Sequence, residues 1–265
     1  MFSVKRAKAL IIVSSILYVA MIVSNILANS IPINGITTGA ISDSYFNLFA
    51  PIGLTFAIWG VIYFLTGAYQ TIQLLNINNV NNSKQFKLEY KVNLAFALSS
   101  LLNTIWIFLW HYQLMLLALI IISGMLISLG YISILLKNNQ SFVKTTFGIY
   151  FGWITVATIA NATIWLVSIG VPNNTVGANI QTSIIVLVAA IIGAVTTIIQ
   201  KDIGYGSVIL WALFGIYLKH ISPIFFDYGY VAVINAVLIG CLIMLLSLAF
   251  SFYRIFKSSI KKVAA

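Results

Sequence analysis

Long uninterrupted apolar runs recur along the whole chain, and they constrain its fold more than any other feature of the sequence. Eight runs are long enough to cross roughly 30 Å of hydrocarbon as helices, at about 1.5 Å per residue. We predict spans over residues 9–28, 51–75, 92–112, 114–136, 145–170, 180–200, 204–221 and 229–256. A membrane β-barrel would alternate polar and apolar residues, which these runs do not. The sequence therefore predicts an all-α, polytopic transmembrane helix bundle of about eight spans.

The composition excludes a soluble domain. Only 7% of the residues are charged and the mean hydropathy is +1.05, whereas soluble domains carry about 25% charged residues. A formal net charge of +10 could indicate a nucleic-acid partner, but the basic residues stand in short clusters between apolar runs. Membrane topology accounts for such clusters. We expect membrane lipid, and no nucleic acid, as a partner.

The basic residues also predict the orientation. With eight spans, thirteen of the 14 basic residues fall on one side, and only Lys219 falls on the other. The positive-inside rule makes that side cytoplasmic and places both termini there. Abundant Ile, Asn and Lys are typical of AT-rich microbial genomes. We therefore expect an integral protein of the cytoplasmic membrane of a microbe.

Ionisable groups inside the predicted spans are almost absent. All four acidic residues fall at or beyond span ends. His111, Lys219 and His220 lie near outer span ends, where we interpret them as interfacial residues, with Lys219 extending to the membrane surface. The predicted spans offer no buried acid–base pair or metal cluster, so ordinary hydrolysis or group transfer is disfavoured and no metal site is predicted.

Uncharged polar and aromatic side chains recur at steps of three and four in the second, third and fifth spans. The stripes are Phe56, Trp59, Tyr63, Gly67 and Gln70; Ser99, Asn103, Trp106 and Trp110; and Tyr150, Trp153, Ala157, Asn161 and Trp165. Residues at this spacing share one helix face. One interpretation is ordinary helix packing through amides and small residues. Interfacial anchoring accounts for Trp110 and Trp165, but not for Trp59, Trp106 and Trp153 inside their spans. The other interpretation is a pocket for a flat apolar ligand.

These stripes resemble the translocator protein family, also called tryptophan-rich sensory proteins or the TspO/MBR family. The second helix of that family carries a proline, then Phe-x-x-Trp-x-x-x-Tyr and a small residue, which Pro51, Phe56, Trp59, Tyr63 and Gly67 match. The matches in the third helix are Asn103 and Trp106, and those in the fifth are Tyr150, Trp153, Ala157, Asn161 and Trp165. The family often has proline before the fifth-helix tyrosine, where this chain has Ile149.

The resemblance implies a five-helix membrane domain over residues 1–170, with residues 171–265 as an additional three-helix segment packed on it. It implies a sensor or regulator that binds a flat hydrophobic ligand such as a tetrapyrrole, porphyrin, haem-type molecule, sterol or lipid-like compound, without a resident cofactor. The ligand-binding residues it implies are Phe56, Trp59, Tyr63, Asn103, Trp106, Tyr150, Trp153, Ala157, Asn161 and Trp165. Some members are proposed to break down porphyrin in light, for which Trp59 and Trp165 would be the first candidates.

Other interpretations stay open. Eight spans would suffice for a transporter of a small neutral or apolar solute, although no buried charge is available for ion coupling. The external segment 29–50 is long for a connection in a compact bundle, and such loops often cover a site. Ala189, Ala190, Gly193 and Ala194 have the spacing of close helix contacts, either within the bundle or in a homo-oligomer.

Overall fold

A computed structural model describes residues 3–81, 83–139, 141–173 and 175–263. Within these ranges the chain forms nine α-helices and no strand. The helices are α1 (Val4–Ser30), α2 (Thr38–Ser44), α3 (Ile58–Leu75), α4 (Lys84–His111), α5 (Met115–Leu135), α6 (Phe142–Ser168), α7 (Val176–Gln200), α8 (Ile203–Ile221) and α9 (Val231–Val263). The predicted all-helical membrane fold is therefore confirmed.

Each predicted span corresponds to one of the eight long helices. Within the described ranges, six of these helices are long and apolar enough to cross a membrane, namely α1, α4, α5, α6, α7 and α9. The other two, α3 and α8, have 18 and 19 residues, or about 27 and 29 Å of helix. That α3 and α8 also span the membrane stays a prediction.

Two connections differ from the predictions. The second span was expected from Pro51, but Gly53–Ala57 form a 3-10 turn and α3 begins only at Ile58. The expected connector 76–91 is helical from Lys84, because the Ser83 side chain accepts a hydrogen bond from the backbone N–H of Phe86 and caps α4. The long segment between α1 and α3, predicted to be external, contains the short helix α2, capped by the Thr37 side chain.

Five long helices close a ring in which each one contacts two neighbours, in the spatial order α1, α4, α5, α6 and α3. Polar side chains hold the ring together. Asn25 of α1 donates to Asn103 of α4 at 2.7 Å, and Gln70 of α3 donates to Ser14 of α1 at 2.9 Å. Hydrogen bonds of this kind are typical of helix contacts in a membrane, where no water competes.

The last three helices pack on one side of this ring. Helix α8 lies against α6, and α7 and α9 lie against each other and against α8. Small residues allow the close approach: a Cβ at Gly152 would lie 2.7 Å from the backbone oxygen of Tyr205, and one at Gly193 would lie 3.1 Å from Ile209 Cγ2. The small residues of α7 thus serve packing within the chain. The predicted domain division at residue 170 stays a prediction.

Candidate functional site

Three tryptophans from three helices meet inside the five-helix ring. The ring centroid of Trp59 on α3 lies 6.3 Å from that of Trp106 on α4 and 6.1 Å from that of Trp153 on α6. These distances fall within the 4.5–7 Å range of interacting aromatic pairs. Trp106 and Trp153 are buried, so the indole faces of these helices point into the protein and not into lipid.

More aromatic rings surround this group. Tyr63 stacks on Trp59 with its centroid 5.4 Å away, and Tyr150 meets Trp59 edge to face at 6.1 Å. Phe56 meets Trp153 edge to face at 5.6 Å. The six rings of Phe56, Trp59, Tyr63, Trp106, Tyr150 and Trp153 are called the aromatic cage below.

Amide side chains fix the orientation of the cage. The indole N–H of Trp106 donates to Asn161 Oδ1 at 3.1 Å, and the Asn103 amide donates to the Tyr150 hydroxyl at 3.1 Å. The indole N–H of Trp153 is buried and has no hydrogen-bond partner in the described parts of the chain. A buried donor without a partner is unfavourable by about 1–3 kcal/mol, so this N–H could donate to a water or to a polar group of a bound molecule.

A small cavity of about 30 Å³ lies beside the cage. Its lining consists of Thr38, Ser42, Pro51, Phe56, Trp59, Trp106, Trp110, Trp153, Val156, Ala157, Ala160, Asn161 and Ile164. Since one water occupies roughly 10–15 Å³ on this measure, the space holds about two waters. Ligand pockets usually measure roughly 300–1,000 Å³, so the structure shows a closed site.

Residues 31–57, called the covering segment below, close one side of this cavity. The segment is attached to the end of α4, where Thr38 Oγ1 lies 3.0 Å from His111 Nε2 and the Thr38 carbonyl accepts a hydrogen bond from the Trp110 indole at 3.2 Å. His111 Nδ1 lies 3.0 Å from the carbonyl oxygen of Ile33. His111 is therefore buried beneath the covering segment at the end of α4, and its predicted position at the membrane interface stays a prediction.

The covering segment is also attached to α8. Lys219 Nζ forms an ion pair with Asp43 Oδ1 at 3.0 Å, and the Trp211 indole donates to the Thr55 carbonyl at 3.0 Å. Gly215 is part of this contact, because a Cβ there would overlap the Thr55 hydroxyl. Lys219 is buried and paired, which corrects its interpretation as a side chain that extends to the membrane surface.

The structure brings most of the predicted site residues together. Phe56, Trp59, Trp106, Trp153, Ala157 and Asn161 line the cavity. Tyr63, Asn103 and Tyr150 stand behind it, in contact with the cage or as part of it. Trp165 lies two turns beyond Ala157 and is not part of the lining.

The sequence reasoning missed one tryptophan of the lining. Trp110 was interpreted as an interfacial anchor, but it is buried and stacks on Trp106 with a centroid distance of 5.5 Å. Its position four residues after Trp106 was the available signal. Thr38, Ser42 and Pro51 carried no comparable signal, because only the folded covering segment brings them to the cavity.

Charged groups at the opposite end of the bundle join α6, α7 and α8. The buried Lys144 donates to the carbonyl oxygens of Lys137 and Gln200 at 2.8 and 2.7 Å. Asp202 caps α8 by accepting from the backbone N–H of Tyr205 at 3.1 Å. Burial raises the pKa of Asp202 to about 6, although this hydrogen bond and the charge of Lys144 oppose the rise.

Comparison with known proteins identifies one family. The model of the family described as "TSPO-like protein" matches residues 11–253, a range that includes the last three long helices almost completely. A search of curated proteins and a search of solved structures each returned no match.

Proposed function

Because this chain belongs to the TSPO-like protein family, we propose that it is a membrane sensor or regulator that binds a flat hydrophobic ligand in the aromatic cage. The ligand class is tetrapyrrole or porphyrin, sterol, or a lipid-like molecule. The observation that carries the proposal is the meeting of Trp59, Trp106 and Trp153 beside a cavity inside the bundle.

The chemistry of the cage suits such a ligand. Ring faces and edges supply a large apolar contact area at fixed orientation, and no lysine, arginine or carboxylate belongs to the described cavity lining. A few polar groups remain to orient a guest, among them the unpaired indole N–H of Trp153 and the hydroxyls of Thr38 and Ser42. Mostly apolar walls with few polar groups are typical of small-molecule sites.

Binding requires the closed site to open, because a cavity of about 30 Å³ cannot hold a porphyrin or a sterol. The covering segment is the element whose displacement enlarges the cavity. It contributes part of the lining, and polar contacts attach it to α4, α6 and α8. The ligand-bound state then has the covering segment displaced from Trp106 and Trp110.

The proposed location is the cytoplasmic membrane, with both termini on the cytoplasmic side. The clustering of basic residues at one set of helix ends supports this orientation. Lys219, the single basic residue of the other set, pairs with Asp43 in the structure. The covering segment and the cavity would thus lie toward the outer face.

The test of the proposed function is quenching of tryptophan fluorescence by protoporphyrin IX, measured in detergent and in the dark. We expect saturable quenching, because the chain has six tryptophans and several of them surround the site. Trp59→Leu removes the central ring, which should weaken binding by about 1–3 kcal/mol, or roughly 5- to 150-fold. Trp165→Leu removes a tryptophan outside the lining and should change the affinity less than twofold.

A single outcome would contradict the proposal: linear, non-saturable quenching that is equal in the wild type and in Trp59→Leu, while both proteins keep the same melting temperature. Repeating the titration with a sterol competitor separates the ligand classes. Illumination of the bound pigment, followed by its absorption spectrum, then tests the light-dependent breakdown suggested for some relatives.

A further inference from the structure

A groove on the lipid-facing surface between α4 and α5 has one polar end and one apolar end. It consists of two adjoining cavities of about 660 and 510 Å³, and Lys91 lines both. The first lies at the beginning of α4 and the second continues along α4 and α5 toward the middle of the helices. This groove is distant from the aromatic cage and shares no lining residue with it.

Three lysines form the polar end of the groove. Lys84, Lys87 and Lys91 follow each other at steps of three and four on α4, which places them on one helix face. All three are exposed and line the larger cavity. Glu89 accepts a hydrogen bond from Gln85, which lines the larger cavity, but Glu89 itself is not among the described lining residues. The polar end therefore concentrates positive charge and is complementary to an anion.

The other end of the groove is apolar. Leu94 and Leu98 of α4 and Ile127 of α5 line it, and each is about half exposed or more. Gly124 of α5 also lines this end, and its lack of a side chain allows close packing on α4, because a Cβ there would lie only 3.2 Å from Leu102 Cδ1. From Lys91 to Leu98 the helix rises about 10 Å, which allows part of an acyl chain to lie along it.

We propose that this groove binds one anionic phospholipid. The phosphate contacts the lysines of α4, and one acyl chain lies along Leu94, Leu98 and Ile127. A soluble anion would leave the apolar end unused, and a zwitterionic lipid would not need three lysines around one headgroup. Juxtamembrane lysines attract anionic lipids, and the groove next to them supplies a place for the chain.

The test is native mass spectrometry of the full chain in detergent with phosphatidylglycerol or phosphatidylcholine of identical acyl chains. We expect the wild type to bind phosphatidylglycerol at least tenfold more tightly. The variant Lys84→Gln/Lys87→Gln/Lys91→Gln should bind both lipids equally. The control Lys5→Gln/Lys8→Gln/Lys257→Gln removes three positive charges elsewhere and should keep the preference.

A second pair of variants tests the apolar end. Leu98→Trp fills the groove at a lipid-facing position and should weaken phosphatidylglycerol binding at least fivefold. Leu242→Trp places the same side chain on the exposed face of α9 and should leave binding unchanged. Glycerol 3-phosphate distinguishes a soluble phosphate from a lipid, and we expect it not to compete at millimolar concentration.

Three results would overturn the proposal: equal affinity for both lipids in the wild type, the same loss of preference in both lysine variants, or competition by glycerol 3-phosphate. An effect of Leu242→Trp as large as that of Leu98→Trp would also contradict the groove as the site. None of these measurements depends on the aromatic cage, so the lipid proposal and the proposed function are tested independently.

Discussion

The ion pair between Lys219 and Asp43 predicts an unequal response to the loss of either partner. The Lys219 side chain is 5% exposed, whereas that of Asp43 is 42% exposed. Replacing Lys219 with methionine leaves a carboxylate that water can still solvate. Replacing Asp43 with asparagine leaves a buried ammonium group without its counterion, which is the more costly of the two situations.

The expected magnitudes follow from this difference in burial. Breaking a fully buried pair usually costs about 3–5 kcal/mol. Lys219 Nζ also lies 5.5 and 5.8 Å from the ring centroids of Phe225 and Phe226, and such contacts offset part of that cost. We therefore expect Asp43→Asn to cost about 2–3 kcal/mol. Lys219→Met should cost about 0.5–1 kcal/mol, as for a largely solvated pair.

The assay is unfolding in mixed micelles by titration with SDS, followed by circular dichroism. The double variant Asp43→Asn/Lys219→Met should recover most of the stability that Asp43→Asn loses, because no uncompensated charge stays buried. Asp227→Asn is the matched control: it removes one exposed carboxylate at the same end of the bundle and should cost less than 0.5 kcal/mol. The reasoning is refuted if Asp43→Asn costs no more than Lys219→Met, or if the double variant is the least stable of the three.

Two further predictions concern α8. Gly215→Ala should destabilise the protein by about 1–3 kcal/mol in the same unfolding assay, because the added Cβ would overlap Thr55 of the covering segment. The control is Gly60→Ala: Gly60 has open space around it, so this change should be neutral or stabilising by up to about 1 kcal/mol. Equal effects of the two substitutions would contradict the close contact. Since the pKa of Asp202 rises from 3.8 to about 6 on folding, the native state binds more protons than the unfolded state between these values. Relative to Asp202→Asn, which keeps an N-cap side chain, the wild type should therefore lose on the order of 2–3 kcal/mol of stability as the pH rises from 4 to 6.5. The difference between the two proteins isolates this carboxyl from other groups that titrate in the same range, and a difference that does not change with pH would contradict the prediction.

The sequence determined the class of fold and the position of the long helices, because each segment that crosses hydrocarbon must by itself be apolar and form its own backbone hydrogen bonds. A run of about twenty apolar residues reads as a membrane helix whatever its neighbours are. The sequence predicted the ends of the helices less well. The start of α3 at Ile58 and of α4 at Lys84 depends on local turns and caps, which hydropathy does not report.

The stripes of aromatic residues also came from the sequence, since spacing along a helix fixes which side chains share a face. That Trp59, Trp106 and Trp153 face one another was one of two interpretations of the stripes, and the family resemblance favoured it over ordinary helix packing. Spacing placed Trp110 in the same stripe as Trp106, but its interpretation as an interfacial anchor kept it out of the predicted site. Neither hydropathy nor spacing indicated that the cavity is closed to about 30 Å³.

Tertiary structure alone decided how the covering segment is attached. Asp43 and Lys219 are 176 positions apart, and both looked like solvated residues at span ends. Their pairing depends on α8 packing against α6 and reaching the covering segment, a contact between distant parts of the chain that no local pattern encodes. Local hydropathy specifies each helix in lipid, whereas partners across the bundle are specified by packing, which exists only once the helices have assembled.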